Sequence, residues 1–287
     1  MTAMDTTSAQ ATPEAPLLQQ KAAGSSFYSA MRLMPKAERD AMFAIYAFCR
    51  AVDDIADDCA GERHDRLEGL AAWRADIEAL YAGQNPRRTA FLAGFAARYE
   101  LRREDFLAVI DGMQMDVAEN ICAPSLDTLD LYCDRVASAV GRLSIKVFGM
   151  EEEPGFSLAQ HLGRALQLTN ILRDLDEDAA IGRLYVPGEY LEQAGVEASN
   201  PVKAIANPAI DVACRTLARL AHEHYEAADR VMLARPKGRI RTPRLMAAVY
   251  SEMLREMEKT GWAPPRRRVR LGKTRLLRVV IAHGLFG

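Results

Sequence analysis

Cysteine is scarce and unpatterned. Cys49, Cys59, Cys122, Cys133 and Cys214 are odd in number and show no C-x-x-C spacing. That argues against a disulfide framework and against a thiolate metal cluster, and leaves reduced thiols in helices. The histidines His64, His161, His222, His224 and His283 lack the H-E-x-x-H pattern of a zinc site, and His222-Glu223-His224 reads as a solvated helix segment. There is no G-x-x-x-x-G-K-[ST] and no G-x-G-x-x-G following a strand, so nothing points to ATP or NAD. No apolar run approaches the roughly 20 residues that span a bilayer. Residues 1–23 lack both a basic start and an apolar core; they read as a disordered lead, not as a signal peptide.

Strand-like alternation is also missing. Helical periodicity instead recurs from about Lys36 to Lys259, in a chain of 287 residues with 49% hydrophobic content, enough for a sizeable core. The expected fold is all-α, with residues 24–261 forming one large domain. Breaks are expected at Gly61, Asn85-Pro86, Pro124, Pro154-Gly155, Gly182, Pro187-Gly188, Asn200-Pro201, Pro236-Lys237-Gly238 and Gly261.

Two acidic clusters of one form stand within that helical pattern: Asp53-Asp54-Ile55-Ala56-Asp57 and Asp174-Leu175-Asp176-Glu177-Asp178. Each sets two aspartates four apart, so each pair projects from one helix face. Like charges at that spacing repel by about 0.2–0.5 kcal/mol on a solvated helix and by more in a water-poor cavity. Taken alone, either cluster reads as a solvated surface. The neighbours shift that balance. Arg50 joins Asp53 and Asp57 on one stripe, and Gln167, Asn170, Asp174 and Asp178 form a polar stripe whose helix carries Leu166, Leu168, Ile171, Leu172 and Leu175 on its other faces. A helix so largely apolar is buried, and its polar stripe must face a cavity or a partner. Magnesium is held by one or two carboxylates together with substrate phosphates, so two such helices facing each other would clamp a metal-diphosphate.

Charge is uneven along the chain. Arg266, Arg267, Arg268, Arg270, Lys273, Arg275 and Arg278 make the C-terminus wholly basic, with no acid after Glu258, and the remainder is distinctly negative. Apolar residues interleave with these cations, so residues 262–287 read either as a basic amphipathic segment on an anionic membrane surface or as a segment packed on the body. No aromatic residue stands among the arginines, which counts against nucleic acid. Ala137, Ser138, Ala139 and Gly141 put small side chains in the helix expected from Tyr132 to Gly149. They leave room for a ligand tail or let two helices approach closely.

Ser25-Ser26-Phe27-Tyr28, the run from Ala44 to Asp54, and Gln167-Leu168-Thr169-Asn170-Ile171-Leu172-Arg173-Asp174 together resemble the squalene and phytoene synthase family. Arg183-Leu184-Tyr185-Val186-Pro187 and Tyr132-Cys133 fit the same pattern, which covers almost everything after Gly24. Within the family, the Tyr132 to Gly149 segment, Asp111-Gly112-Met113-Gln114-Met115-Asp116 and the arginine-rich end are most similar to bacterial members that make presqualene diphosphate for hopanoid pathways. The resemblance implies a helical bundle of the isoprenoid synthase (class I terpenoid synthase-like) type with a central cavity. It also implies a cytoplasmic head-to-head prenyl transferase that joins two farnesyl diphosphates, using Mg2+ or Mn2+ in its place and no NADPH. On that pattern Asp53, Asp57, Asn170, Asp174 and Asp178 would bind metal, with Gln167 supporting the metal-diphosphate geometry. Arg50, Arg173, Arg183 and Tyr185 would hold phosphate oxygens. Ser26, Phe27, Tyr46 and Tyr250 would line the substrate site, and Tyr132 would act in catalysis. From spacing alone, core packing remains the safer reading for each aromatic. Two other readings stand beside this one: a phytoene synthase acting on geranylgeranyl diphosphate, and a non-enzymatic, membrane-associated helical protein whose acidic stripes merely bind cations.

Overall fold

The computed structural model describes residue 31 and residues 34–58, 61–119, 121–272, 274, 275 and 278. The segment 1–23, Ser26, Phe27 and Cys59 lie outside the described residues, as does much of the C-terminal end.

The first long helix, α1 (Lys36–Ala56), buries Ala41, Ile45, Phe48, Val52 and Ala56 at helical spacing. It is followed by α2 (Arg63–Tyr81), α3 (Ala90–Tyr99) and α4 (Arg103–Glu119). Glu100 ends α3 in the left-handed region at φ 49°, a break without a glycine or proline to announce it. Phe48 anchors this half of the molecule, meeting Trp73 and Phe106 edge-on at ring-centre distances of 5.6 and 5.0 Å. Such contacts add about 1 kcal/mol each beyond the area they bury.

A short α5 (Leu126–Cys133) starts where the Ser125 hydroxyl accepts from the Thr128 N–H at 3.2 Å. It runs without a break through a π-helical turn (Asp134–Ser138) into α6 (Ala139–Val147). The expected helix from Tyr132 to Gly149 is therefore present with an extra residue wound into its first turns, and Gly149 ends it at φ 62°. Then come α7 (Glu152–Arg173), α8 (Leu175–Ala180), α9 (Gly188–Gln193), α10 (Pro201–Ala206), α11 (Ile210–Leu233) and α12 (Arg241–Thr260). Pro154-Gly155 is not a break. It sits in the first turn of α7, where the missing N–H has no intrahelical partner to lose.

Among the described residues there is no strand, only a parallel bridge between Cys122 and Leu184. Its bonds, Ala123 N–H to Leu184 O (2.7 Å) and Leu184 N–H to Ile121 O (2.9 Å), fix an extended stretch on the end of α4. Alternation along that stretch seats Leu184 in the core and turns Arg183 and Tyr185 to the other side. Cys122 therefore lies on a bridge, not in a helix.

The apolar interior falls into two clusters. One gathers α1, α2, α4 and α6 around Phe48; the other gathers α7, α11 and α12 around Leu172, Leu217 and Leu254. Partly buried Val136 and Met150 pack against both.

Candidate active site

The polar site opens where the two clusters meet. Arg50 and Asp53 lie on the last turns of α1, and Asp57 follows as its C-cap, its N–H bonded to Asp53 O at 2.9 Å. Arg50 pairs with Asp53 at 2.8 Å and with Asp54 at 3.0 Å. From across the cavity Arg183 reaches Asp57 at 2.6 Å and the Ala56 carbonyl at 3.0 Å, so one guanidinium both caps α1 and ties it to the bridge segment.

The second acidic stripe is interrupted, contrary to expectation. α7 stops at Arg173, Asp174 leaves helical geometry (φ −104°, ψ 18°), and α8 begins afresh. The Asp178 N–H still reaches Asp174 O at 2.8 Å, which preserves the i, i+4 relation across the kink. Gln167, Asn170, Asp174 and Asp178 therefore line one cavity with Arg50, Asp53, Asp57, Tyr132, Arg173, Arg183, Tyr185 and Tyr250, enclosing about 910 Å³. Tyr46 stands at its inner edge.

Burial, reinforced by Asp57, lifts the Asp53 carboxyl to about 6. Burial, reinforced by Asp174, lifts Asp178 to about 7. Arg50 offsets only part of the Asp53 charge and Arg183 only part of the Asp178 charge, a condition that a bound cation relieves further. The Asn170 side-chain oxygen is buried without a hydrogen-bond partner, its amide nitrogen 3.5 Å from Gln167 Oε1. An orphan amide oxygen beside under-neutralised carboxylates is an all-oxygen donor set, which fits Mg2+ or Mn2+ better than a soft metal. Among the described residues no three acidic, histidine or cysteine side chains converge as a ready-made metal cage. The remaining donors would have to come from a bound polyanion.

A second, apolar cavity of about 310 Å³ continues inward, sharing Tyr46, Asp53, Gln167 and Asn170 with the polar one. Met42, Ile45, Val140, Phe148, Leu158 and Leu162 form its walls. Of the small residues the sequence left open, Ala137 and Gly141 line this cavity, and Gly141 also lies against Ala159 of α7; Gly163 of α7 lines the cavity too and packs back on the π-helical turn. A Cβ on Gly163 would fall 2.7 Å from the Ser138 backbone, and one on Gly141 3.1 Å from Ala159 Cα.

The sequence reaches Asp116 only as the end of the run from Asp111 to Asp116 and gives it no role; it is 2% exposed on α4 and accepts hydrogen bonds from Tyr132 (2.9 Å) and Tyr185 (2.6 Å). Burial raises its carboxyl to about 6. No periodic signal in the sequence ties it to either acidic cluster, and Tyr185 reaches it from the segment that the bridge at Leu184 holds beside the end of α4. The described part of the basic end takes the second of the two readings the sequence left open, packing on the body. Arg268 pairs with Asp174 (2.6 Å) and Glu177 (3.3 Å), Arg266 pairs with Asp176 (2.6 Å), and buried Trp262 donates to Leu172 O at 2.9 Å. Residues 262–272 thus pack on the body, with Arg268 and Arg270 on the cavity rim, whereas Arg267 and Arg278 make no ion pair among the described residues. The histidine segment is not wholly solvated. His222 pairs with Glu258 at 3.0 Å, and half-buried His224 meets His161 of α7, Nδ1 to Nδ1, at 3.1 Å.

The squalene/phytoene synthase family profile matches residues 20–275. A presqualene diphosphate synthase of Zymomonas mobilis is 58% identical over 256 residues, covering 89% of this chain and 88% of that one. A presqualene diphosphate synthase of Rhodopseudomonas palustris is 49% identical over 275 residues, covering 96% and 98%. A 15-cis-phytoene synthase of Paracoccus is 40% identical over 190 residues, covering 62% and 60%. Among solved structures, a dehydrosqualene synthase with a bound ligand superposes with a TM-score of 0.81 over 94% of this chain and 95% of that one, at 24% identity.

Proposed function

We propose, on the premise that this chain belongs to the squalene/phytoene synthase family, that it condenses two farnesyl diphosphates head to head into presqualene diphosphate, releasing one diphosphate. The observation that carries this is the continuity of the two cavities. A mouth rich in arginine and carboxylate opens, through four shared residues, into an apolar chamber, as a ligand with a diphosphate head and a hydrocarbon tail requires.

Arg50, Arg173 and Arg183 would bind and orient diphosphate oxygens at the mouth, where removing one preorganised donor costs about 3 kcal/mol of transition-state stabilisation. Asp53, Asp57, Asn170, Asp174 and Asp178 would hold Mg2+, which supplies the Lewis acid that stabilises the departing diphosphate. The apolar walls exclude water from the allylic cation, and the faces of Tyr46, Tyr132 and Tyr250 stabilise it without attacking it. Met42 and Asp53 stand eleven positions apart on α1, about 16 Å at 1.5 Å per residue, a depth that suits a farnesyl chain. Relatives named for presqualene diphosphate match at higher identity and coverage than those named for phytoene, which favours the farnesyl substrate. Peripheral contact with an anionic membrane face is part of the proposal, through Arg267 and Arg278. Among the described residues no helix is long and apolar enough to cross a membrane.

Incubating the purified protein with farnesyl diphosphate and Mg2+, without a reductant, tests the reading. Presqualene diphosphate is the expected product. Turnover of geranylgeranyl diphosphate in its place would make the chain a phytoene synthase, and no turnover with any prenyl diphosphate would leave only a cation-binding helical protein.

A further inference from the structure

Two phenols on the wall of the polar cavity share one buried acceptor. Asp116 Oδ2 takes the hydroxyl hydrogen of Tyr132 at 2.9 Å and Oδ1 that of Tyr185 at 2.6 Å, while the two rings stack with centres 5.0 Å apart and planes at 23°. Both tyrosines are 5% exposed, and all three side chains line the cavity. The two phenol oxygens also lie 3.4 Å apart, Tyr132 toward Tyr185, but the nearer carboxylate oxygens at 2.9 and 2.6 Å draw both hydrogens, so each phenol oxygen turns lone pairs toward the remaining space. That is an arrangement for meeting positive charge or a proton, not for donating one. Arg183 is the cation that most offsets the Asp116 charge, and Asp57 is the anion that opposes it. Burial holds the carboxyl near 6, within the range that suits a general base at neutral pH while leaving it ionised there.

We propose that Asp116 is the terminal acceptor of the proton lost when the cyclopropane ring closes, reached through the Tyr132 hydroxyl. This rests on the head-to-head reading above. The C–H bond next to the cationic carbon breaks, and its electron pair becomes the last C–C bond of the ring. The proton passes to Tyr132 Oη as the hydroxyl's own proton moves to Asp116 Oδ2. One positive charge on the hydrocarbon is discharged and one carboxylate becomes a carboxylic acid, which returns its proton to solvent when the product leaves by the polar mouth. Tyr185 is a positioning residue that holds the carboxylate in register with Tyr132.

Diphosphate release and carbon–carbon coupling are measured separately on the full-length chain with farnesyl diphosphate and Mg2+, for wild type, Asp116→Asn, Asp116→Glu, Tyr132→Phe and Tyr185→Phe. Asp116→Asn and Tyr132→Phe are expected to keep diphosphate release close to wild type while coupled product falls by about a hundredfold. The missing carbon should appear as farnesol or eliminated hydrocarbon. Asp116→Glu should recover part of the coupling, and Tyr185→Phe should lose less than Tyr132→Phe. If Asp116→Asn does not fold, Tyr132→Phe still decides. Coupling at the wild-type level in either folded variant overturns the relay, and so does a loss of release and coupling in equal proportion. A wild-type chain that forms no presqualene diphosphate overturns the proposed function, and the relay with it; a wild-type chain that does, without the altered partition, sinks the relay alone.

Discussion

Asp53 and Asp174 occupy matching places in the two acidic clusters but different electrostatic circumstances. Asp53 is raised by burial and by Asp57, with Arg50 as its ion-pair partner; Asp174 is held by Arg173 at 2.5 Å and Arg268 at 2.6 Å. Asp53→Asn and Asp174→Asn should each cut turnover by roughly a hundredfold or more, since both withdraw a group from the end proposed to bind diphosphate. Circular dichroism should show unchanged helical content. Stability without metal should part them: Asp53→Asn should gain a few tenths of a kcal/mol by losing like-charge repulsion, whereas Asp174→Asn should lose up to about 1 kcal/mol with its arginine contacts. The raised acids set a pH dependence. Asp53 and Asp178 bind protons more tightly folded than unfolded, so their contribution to stability is whole below the ordinary carboxyl range and lost as pH rises through about 6 and 7. A bound cation opposes that loss. The rise in Tm on adding Mg2+ with inorganic diphosphate should therefore be larger at pH 8 than at pH 5.5, and a shift independent of pH would remove these carboxylates from the proposed metal site.

At the scale of elements, α1 and α7 were legible because periodic apolar residues report burial directly, and the polar stripe on a helix otherwise apolar reported a cavity. The kink at Asp174, the π-helical turn and the left-handed end of α3 at Glu100 were not legible. Each is settled by packing between elements, and none carries a local glycine or proline signal. Asp116 escaped for the same reason: a single carboxylate on an amphipathic helix looks solvated until Tyr132 and Tyr185 arrive from distant segments. His224 was misread likewise, since its partner His161 lies on another helix. Close approach of α7 to the π-helical turn yields a prediction. Gly163→Ala places its Cβ 2.7 Å from the Ser138 backbone, and backbone cannot yield as a flexible side chain would. It should cost about 1–3 kcal/mol in urea unfolding, and an alanine variant of unchanged stability would show that the two segments can part without penalty.

For the whole molecule, the basic end divides into residues engaged with the body and residues that are not. Arg267→Glu with Arg278→Glu should weaken co-sedimentation with anionic vesicles and leave turnover in detergent-free buffer intact. Each cation near such a surface contributes of order 1 kcal/mol, screened within about 8 Å at physiological salt. Binding that ignores lipid charge would assign the tail to packing alone. Adding NADPH to the assay should change nothing, because a product that keeps a diphosphate has had no hydride delivered to it; squalene formed by this protein alone would overturn the presqualene assignment. The two apolar clusters meet at the active site, where the Asp57–Arg183 pair joins α1 to the bridge segment. A substrate seated there would act as a stitch across a seam. Amides of α1 and of the Arg183 to Val186 stretch should then slow their hydrogen exchange together when an unreactive farnesyl analogue binds, as if two garments had been sewn into one.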